Sequence, residues 1–275
     1  MGASKRPMTV LTTGANSGIG LATVLEAARR GHRSVGTVRS EPKADVVRAA
    51  AAAAGVEVET ALLDVTDAET GAAVVDEFRP DALVNNAGFS ITGAVEDVTD
   101  DEVRFAFETM VLAPMRLARL AVPHMRERGW GRIVNVSSIY GRTTTPLTGW
   151  YQACKHAMEG VSDALRMELA RDGIKVVLIE PGGFRTGIWE ETEREVEKRA
   201  GSRFDPNYSR TLATTRLWEP LMGEATHCAA VILDVAEGNP RARYLVGIDA
   251  QALNLFETFT PTSIKDRITR LALGL

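Results

Sequence analysis

Short apolar runs recur along the chain, separated by longer stretches in which apolar residues return every three or four positions. The runs Met8–Thr13, Ser34–Val38, Val56–Leu63, Ala82–Asn85, Arg132–Ser137, Lys175–Ile179 and Arg243–Val246 predict seven strands. Several are continuously apolar, as strands buried on both faces are. Between them, Leu21–Arg30, Ala68–Phe78, Glu102–Arg128 and Trp150–Arg171 carry helical periodicity, and the alanine run Ala49–Ala54 reads as a helix stopped by Gly55. Strand–helix alternation predicts an α/β chain, a parallel sheet with helices on both faces and ligands beyond the carboxyl ends of the strands. The stretch Gly187–Pro220 departs from the alternation, being highly charged and then rich in Arg, Tyr, Trp and Pro. No linker or repeat marks a second domain, so residues 1–275 are expected to form one.

Composition narrows the function classes. The 275 residues are 45% hydrophobic, enough for a substantial core. A net charge of −4 without a basic run argues against a nucleic-acid partner. Cys154 and Cys228 are too few for a disulfide framework and read as buried thiols of a reducing cytosol. His32, His124, His156 and His227 form no HExxH-type cluster, so no metal is expected. Met1–Pro7 is short, polar and basic, and no apolar segment follows that could serve as a signal peptide or membrane span. A cytoplasmic protein with no membrane partner is the expectation.

The first strand leads through Thr13-Gly14-Ala15-Asn16-Ser17-Gly18-Ile19-Gly20 into a helix. Glycines at a strand-to-helix turn let the backbone approach a pyrophosphate, and the helix N-terminus offers free N–H groups and a positive dipole end. The G-x-x-x-G-x-G spacing differs from the commoner G-x-G-x-x-G, and an ordinary tight turn can also use such glycines. The position after the first buried strand favours a dinucleotide.

Further along stand Asp64-Val65, Asn85-Asn86-Ala87-Gly88, Val136-Ser137-Ser138, Tyr151 with Lys155, and Pro181-Gly182-Gly183 with Phe184 and Thr186. In joint order and spacing these motifs resemble the short-chain dehydrogenase/reductase family, in its shorter single-domain branch, over nearly the whole chain. The resemblance implies a single-domain Rossmann-type fold with a doubly wound, seven-stranded parallel sheet. It implies an oxidoreductase that moves a hydride between a nicotinamide cofactor and a carbonyl or alcohol on an apolar or mid-sized organic substrate. It places cofactor contacts at Gly14, Asn16, Ser17, Gly18, Ile19 and Gly20, at Asp64 and Val65 near adenine, and at Asn86, Ala87 and Gly88. Tyr151 and Lys155 join them, with Pro181, Gly182, Phe184 and Thr186 at the carboxamide end. Ser138, Tyr151 and Lys155 match the catalytic set. The Glu180-Pro181-Gly182 stretch with Phe184 and Thr186 resembles hydroxysteroid- and retinol-dehydrogenase-like members. Members are usually homodimers or homotetramers, built on the helices around Glu102–Arg128 and Trp150–Arg171.

Cofactor choice turns on the end of the second strand. A dehydrogenase selecting NAD usually places a carboxylate there for the ribose 2′-OH. This chain offers Arg39 and no carboxylate until Glu41. A guanidinium pairs with a 2′-phosphate that a carboxylate would repel, so NADP(H) is expected. Ser17 can add a hydroxyl, and the alternative is an ordinary solvated arginine at Arg39.

Tyr151 and Lys155 stand four apart on a helical pattern and share a face. A phenol titrates near ~10, so half-ionising it at neutral pH needs a shift of about 3 units, roughly 4 kcal/mol. An adjacent ammonium and a positive nicotinamide ring both favour phenolate. In reduction the same tyrosine donates its proton. Ser138 can hydrogen-bond the substrate oxygen, with Ser137 as the alternative serine.

One position departs from the family, which usually has an asparagine where this chain has Met110. A thioether cannot replace the amide as a donor, which puts the lysine's water relay in doubt. Pro114 lies four residues on and has no N–H, so the Met110 carbonyl is left free to hold a relay water. The alternative is that Pro114 only kinks a helix and Met110 is core. Glu190–Arg199 reads as a charged, exposed helix, with Phe204, Tyr208, Leu212, Leu217 and Trp218 offering an apolar surface. Residues 187–220 are expected to form a mobile lid over an apolar substrate portion, the alternative being a solvated excursion. Phe89 and Trp150 are candidate pocket residues. Ile264, Ile268, Leu271 and Leu275 stand at helical spacing at the carboxyl end. A second reading is an NADP(H)-binding sensor without chemistry, supported by Met110 and opposed by the intact Ser138, Tyr151 and Lys155. A lyase or epimerase is a third, but its usual glycine spacing and larger substrate domain are not seen.

Overall fold

The structure is a computed structural model that describes residues 7–185, 188–218 and 222–275. Seven parallel strands form one sheet: β1 (Thr9–Thr13), β2 (Arg33–Val38), β3 (Glu59–Leu62), β4 (Ala82–Asn85), β5 (Gly131–Val136), β6 (Ile174–Pro181) and, further along, β9 (Arg243–Val246). Their order is β3-β2-β1-β4-β5-β6-β9, so the winding reverses between β1 and β4. That reversal opens a crevice at the carboxyl ends of β1 and β4, where such sheets bind ligands.

All seven expected strands form. The third is shorter than its apolar run because residues 55 and 56 close the preceding helix, α2 (Glu41–Ala54): Gly55 takes a left-handed φ of 66° and the Val56 N–H donates to Ala51 O. One face of the sheet carries α1 (Gly18–Arg29) and α2, joined later by α9 (Ala225–Glu237). The other carries α3 (Ala68–Phe78), α5 (Ala113–Glu127) and α6 (Gly149–Glu168) over Leu11, Leu83 and Ile133. Each face buries a continuous apolar cluster, which explains the unbroken apolar runs of the central strands.

The periodic stretch 102–128 is not one helix. It divides into α4 (Asp100–Phe107), a π-helical turn over Glu108–Leu112, and α5. Ala113 N–H donates to Glu108 O, five residues back, and Pro114 has no N–H for the carbonyl of Met110. Residues 187–220 are less irregular than their composition suggests. They hold α7 (Ile188–Glu197) and α8 (Asp205–Trp218), with β7 (Phe184–Arg185) and β8 (Gly223–Glu224) pairing in parallel at their base. Two more helices end the chain, α10 (Ile248–Phe259), which the pattern did not predict, and α11 (Thr262–Leu273). No helix of the described residues is long and apolar enough to cross a membrane.

Candidate active site

The turn after β1 is a cradle of main chain. Gly14 and Gly18 adopt left-handed φ of 68° and 52°. A Cβ on Gly20 would fall 2.2 Å from Gly14 O and 2.5 Å from Asn86 Nδ2, so only hydrogen fits there. Thr13 and Asn86 staple this turn to the loop after β4. Thr13 Oγ1 accepts from the N–H groups of Asn86 and Ala87, both at 3.0 Å, and Asn86 Nδ2 donates to Thr13 O at 2.9 Å and Gly14 O at 3.2 Å. The Asn86 amide is therefore committed to the loop itself. Ser17 is the N-cap of α1 without a side-chain cap bond, leaving its exposed hydroxyl available beside the first N–H groups of the helix. Asn16 and Ile19 lie in the same turn, with Ile19 packed onto the core. A left-handed glycine turn, a closed Cβ space and a free helix N-terminus fit a dinucleotide pyrophosphate.

Arg39 follows β2 directly and is exposed, with no hydrogen bond or ion pair among the described residues. It lies close enough to Asp64 to favour that carboxylate electrostatically. Burial of Asp64 works against ionisation, but hydrogen bonds from Thr66 and the Arg39 charge outweigh it and hold the carboxyl below its ordinary range. Val65 puts its side chain in the core cluster under α3 and α5.

Ser138, Tyr151 and Lys155 come together at the carboxyl end of β5. Ser138 caps a one-turn 3-10 helix over Ile139–Gly141, its Oγ accepting from Tyr140 N–H at 3.1 Å, and it hydrogen-bonds Tyr151. That contact favours Ser138 over Ser137, whose Oγ is buried without a partner. Lys155 Nζ sits 5.6 Å from the centre of the Tyr151 ring and donates to Val136 O at 2.9 Å. Burial pulls its ammonium down to about 8, opposed by Cys154 and Glu159. The Tyr151 phenol is pushed the other way, up to about 12, by burial of its ring; the Ser138 hydrogen bond opposes this. The ammonium is not among the causes that move it, so the expected lowering by the lysine is absent from this protein without its cofactor. A neutral phenol is the form needed by a proton donor.

Met110 is core, 1% exposed, packed with Ile91, Val111 and Cys154 against Phe89, Trp150 and Tyr151. Phe89 also stacks on Phe105 with ring centres 5.3 Å apart. An apolar wall therefore runs up to the phenol. On the other side, Pro181 ends β6 and Gly182-Gly183 turn against Asp249, whose Oδ2 accepts from Gly183 N–H at 2.5 Å. A Cβ on Gly182 would meet that carboxylate at 2.2 Å. Phe184 is buried in the core, and Thr186 lies outside the described residues.

The segment expected to be a lid is tied down at its base. Arg199, expected on an exposed helix, is buried instead and donates to Glu102 Oε1 at 2.6 Å, Glu102 Oε2 at 3.1 Å and the carbonyls of Thr92 and Asp97. Tyr208 is also no pocket residue: it packs with Ala94 and Leu147, donates to Asp97 Oδ2 at 2.5 Å and accepts from Ala94 N–H at 2.7 Å. The side chains of Leu217 and Trp218 lie outside the described ones. Asp249 and Leu147 escaped sequence reasoning. Leu147 holds a left-handed φ of 69°, a strained state for leucine, while its carbonyl receives Gly93 N–H at 2.7 Å. No sequence signal marks either. Among the described residues no three metal-ligating groups cluster.

Known proteins resemble this arrangement over its length. The family model for short chain dehydrogenases matches residues 8–197. The 3-ketodihydrosphingosine reductase of Bacteroides thetaiotaomicron is 33% identical over 257 residues, 90% of this chain and 91% of its own. A short-chain dehydrogenase structure from Streptomyces avermitilis superposes with a TM-score of 0.79 at 33% identity, over 98% of this chain and 97% of that one. A candidate NAD(P)-dependent gluconate 5-dehydrogenase from Beutenbergia cavernae, solved with NADP at low occupancy, gives a TM-score of 0.76 at 25% identity, over 92% of this chain and 99% of that one.

Proposed function

This chain is an oxidoreductase of the short-chain dehydrogenase family, and on that premise we propose that it interconverts a carbonyl and an alcohol on an apolar, mid-sized organic substrate with NADP(H). The observation that carries the reading is the convergence of Ser138, a neutral Tyr151 and Lys155 beside an apolar wall, next to a cradle that fits a pyrophosphate.

Gly14, Ser17, Gly18 and Gly20 would hold the pyrophosphate against the N-terminus of α1, with Asn16 and Ile19 flanking it. Arg39 would pair with the 2′-phosphate, while Asp64 and Val65 border the adenine side. Ala87 and Gly88 would lie under the ribose, and Pro181, Gly182, Phe184 and Thr186 at the carboxamide end. When bound, the cofactor supplies or takes up a hydride. In the reductive direction Ser138 Oγ donates a hydrogen bond to the carbonyl oxygen and steadies the charge that develops there. The Tyr151 hydroxyl donates its proton to the same oxygen. Lys155, held by Val136 O, keeps a positive charge beside the phenol as the proton leaves. The Met110 carbonyl, lacking an i+4 donor because of Pro114, is the group that would hold a relay water.

Phe89, Met110 and Trp150 favour an apolar substrate body, consistent with the relative that reduces a 3-keto group on a long-chain base. We assign residues 1–275 to one domain, with α7 and α8 as its lid, acting as a homodimer or homotetramer in the cytoplasm.

The test is oxidation of NADPH and, separately, NADH against ketones, aldehydes, quinones and steroids. Turnover is expected to prefer NADPH, and Tyr151→Phe is expected to lower kcat by about 10²–10⁴-fold. Arg39→Ala is expected to erase about 10- to 100-fold of the NADPH preference, the loss of one or two charge-assisted hydrogen bonds. Full activity in Tyr151→Phe overturns the mechanism, and unchanged cofactor preference in Arg39→Ala overturns the selector. NADPH binding without turnover on any of these carbonyls would favour a sensor.

A further inference from the structure

Behind the candidate site lies a cluster that the mechanism does not use. Glu180, at the end of β6, is wholly buried, and Glu159, on α6, nearly so. Arg243 Nε lies between them, 3.1 Å from Glu159 Oε2 and 3.2 Å from Glu180 Oε1. The other end of that guanidinium reaches Asp163 Oδ2 at 2.5 Å, and Arg142 Nη1 approaches Glu180 Oε2 at 3.4 Å. Three acids thus face two cations, and Arg142 is exposed. With every carboxyl ionised the cluster would bury an uncompensated negative charge.

The polar atoms point the same way. Glu159 Oε1, Glu180 Oε1 and Ser137 Oγ are buried without a hydrogen-bond partner. Two of them converge: a Cβ on Gly141 would fall 2.8 Å from Ser137 Oγ and 3.2 Å from Glu159 Oε1. Buried oxygens rarely go unpaired, and two facing carboxyls commonly solve this by holding a proton between them. Burial, and then the Glu159 charge, push the Glu180 carboxyl up to about 7 against the pull of Arg142 and Arg243.

The cluster adjoins the reacting groups. Glu159 is one helical turn after Lys155, and Ser137 sits between Val136, which receives the lysine, and Ser138. Burial works to discharge the Lys155 ammonium, while Cys154 and Glu159 work to keep it charged. Met110, on the opposite side, offers no side-chain hydrogen-bonding group beyond a thioether.

We propose that Glu159 and Glu180 are positioning residues that share one proton behind Lys155, and that the single negative charge left on the pair keeps the lysine ammonium charged for catalysis. The groups facing the pair are Lys155 and Asp163 from α6, Arg243 from β9, Arg142 from the turn after Ser138, and Ser137 from the end of β5. The proton only changes partner within the pair. Its catalytic consequence rests on the reductase reading above.

Two measurements test it. Carbon NMR titration of the glutamate carboxyls in the whole protein needs no substrate. It is expected to show one carboxyl titrating near neutral pH that disappears in Glu180→Gln. All glutamates titrating in the ordinary carboxylate range overturn the shared proton. The second is the pH profile of kcat for reduction. Glu159→Gln is expected to move the alkaline limb to lower pH by about one unit, with KM at neutral pH unchanged. Glu180→Gln leaves the charge on Glu159 and is expected to move the limb much less. An unmoved limb in Glu159→Gln overturns the link to Lys155. If the wild type reduces no carbonyl, the reductase reading fails while the NMR titration still decides on the pair.

Discussion

The glycine cradle at residues 13–20 and the strap that fastens α7 and α8 differ in what holds them. The cradle is main chain against main chain, with Thr13 and Asn86 as its two side-chain staples. The strap is one buried arginine and one tyrosine reaching across about a hundred residues to Glu102 and Asp97. Each demands a different thing of the sequence. A cradle of backbone requires the absence of side chains at fixed spacing, so any substituent is intolerable. A strap of long side chains requires partners of opposite charge, and many placements would serve. Damage to the first should therefore appear in ligand binding, and damage to the second in stability.

The sharpest way to break that contrast is Gly20→Ala. With its Cβ 2.2 Å from a carbonyl oxygen, the turn must open, and the NADPH dissociation constant is expected to rise at least about 100-fold. Fluorescence titration would show it, and near-normal affinity would mean that the cradle is not the cofactor site. Arg199→Met comes next. It leaves Glu102 and Asp97 without their buried cation and is expected to cost about 3 kcal/mol in urea unfolding while NADPH affinity holds. Equal loss of both would erase the distinction. The smallest effect concerns pH. The Arg199 hydrogen bond holds the Glu102 carboxyl at about 2, below the 4.5 of an ordinary glutamate. A carboxyl so depressed stabilises fully above its unfolded value and loses that contribution as pH falls from about 4.5 toward 2. Because Glu102 is partly exposed, about 1 kcal/mol is expected, seen as a shallower acid-side fall in stability for Glu102→Gln.

The same contrast explains what the sequence discloses. Strands such as Val10–Leu11 and Val134 carry two-sided burial in unbroken apolar runs, and the glycines declare their turn by spacing. Ser138, Tyr151 and Lys155 are legible because i,i+4 spacing and strand-end position are local facts. Arg199 is not, since a charged residue in a charged stretch reads as solvated until a distant Glu102 is folded against it. Asp249 is hidden in the same way: its role comes from meeting Gly183, 66 positions away, across the sheet edge. Glu159 and Glu180 look like surface charge on a helix and a strand end, and only the arrival of Arg243 on β9 reveals them as buried neighbours.

The π-helical turn at Glu108–Leu112 carries a consequence of phase. One extra residue in a helix advances everything after it by about 100° around the axis. Upstream, α4 faces its capping box outward and buries Ala106; downstream, α5 must point Leu117, Ala121 and Met125 at the sheet. The bulge is the offset that lets both faces be right in one nearly continuous rod. Deleting a single residue within it would turn α5 by a quarter of a revolution or more, setting the dehydrogenase's largest apolar cluster against solvent without changing its composition.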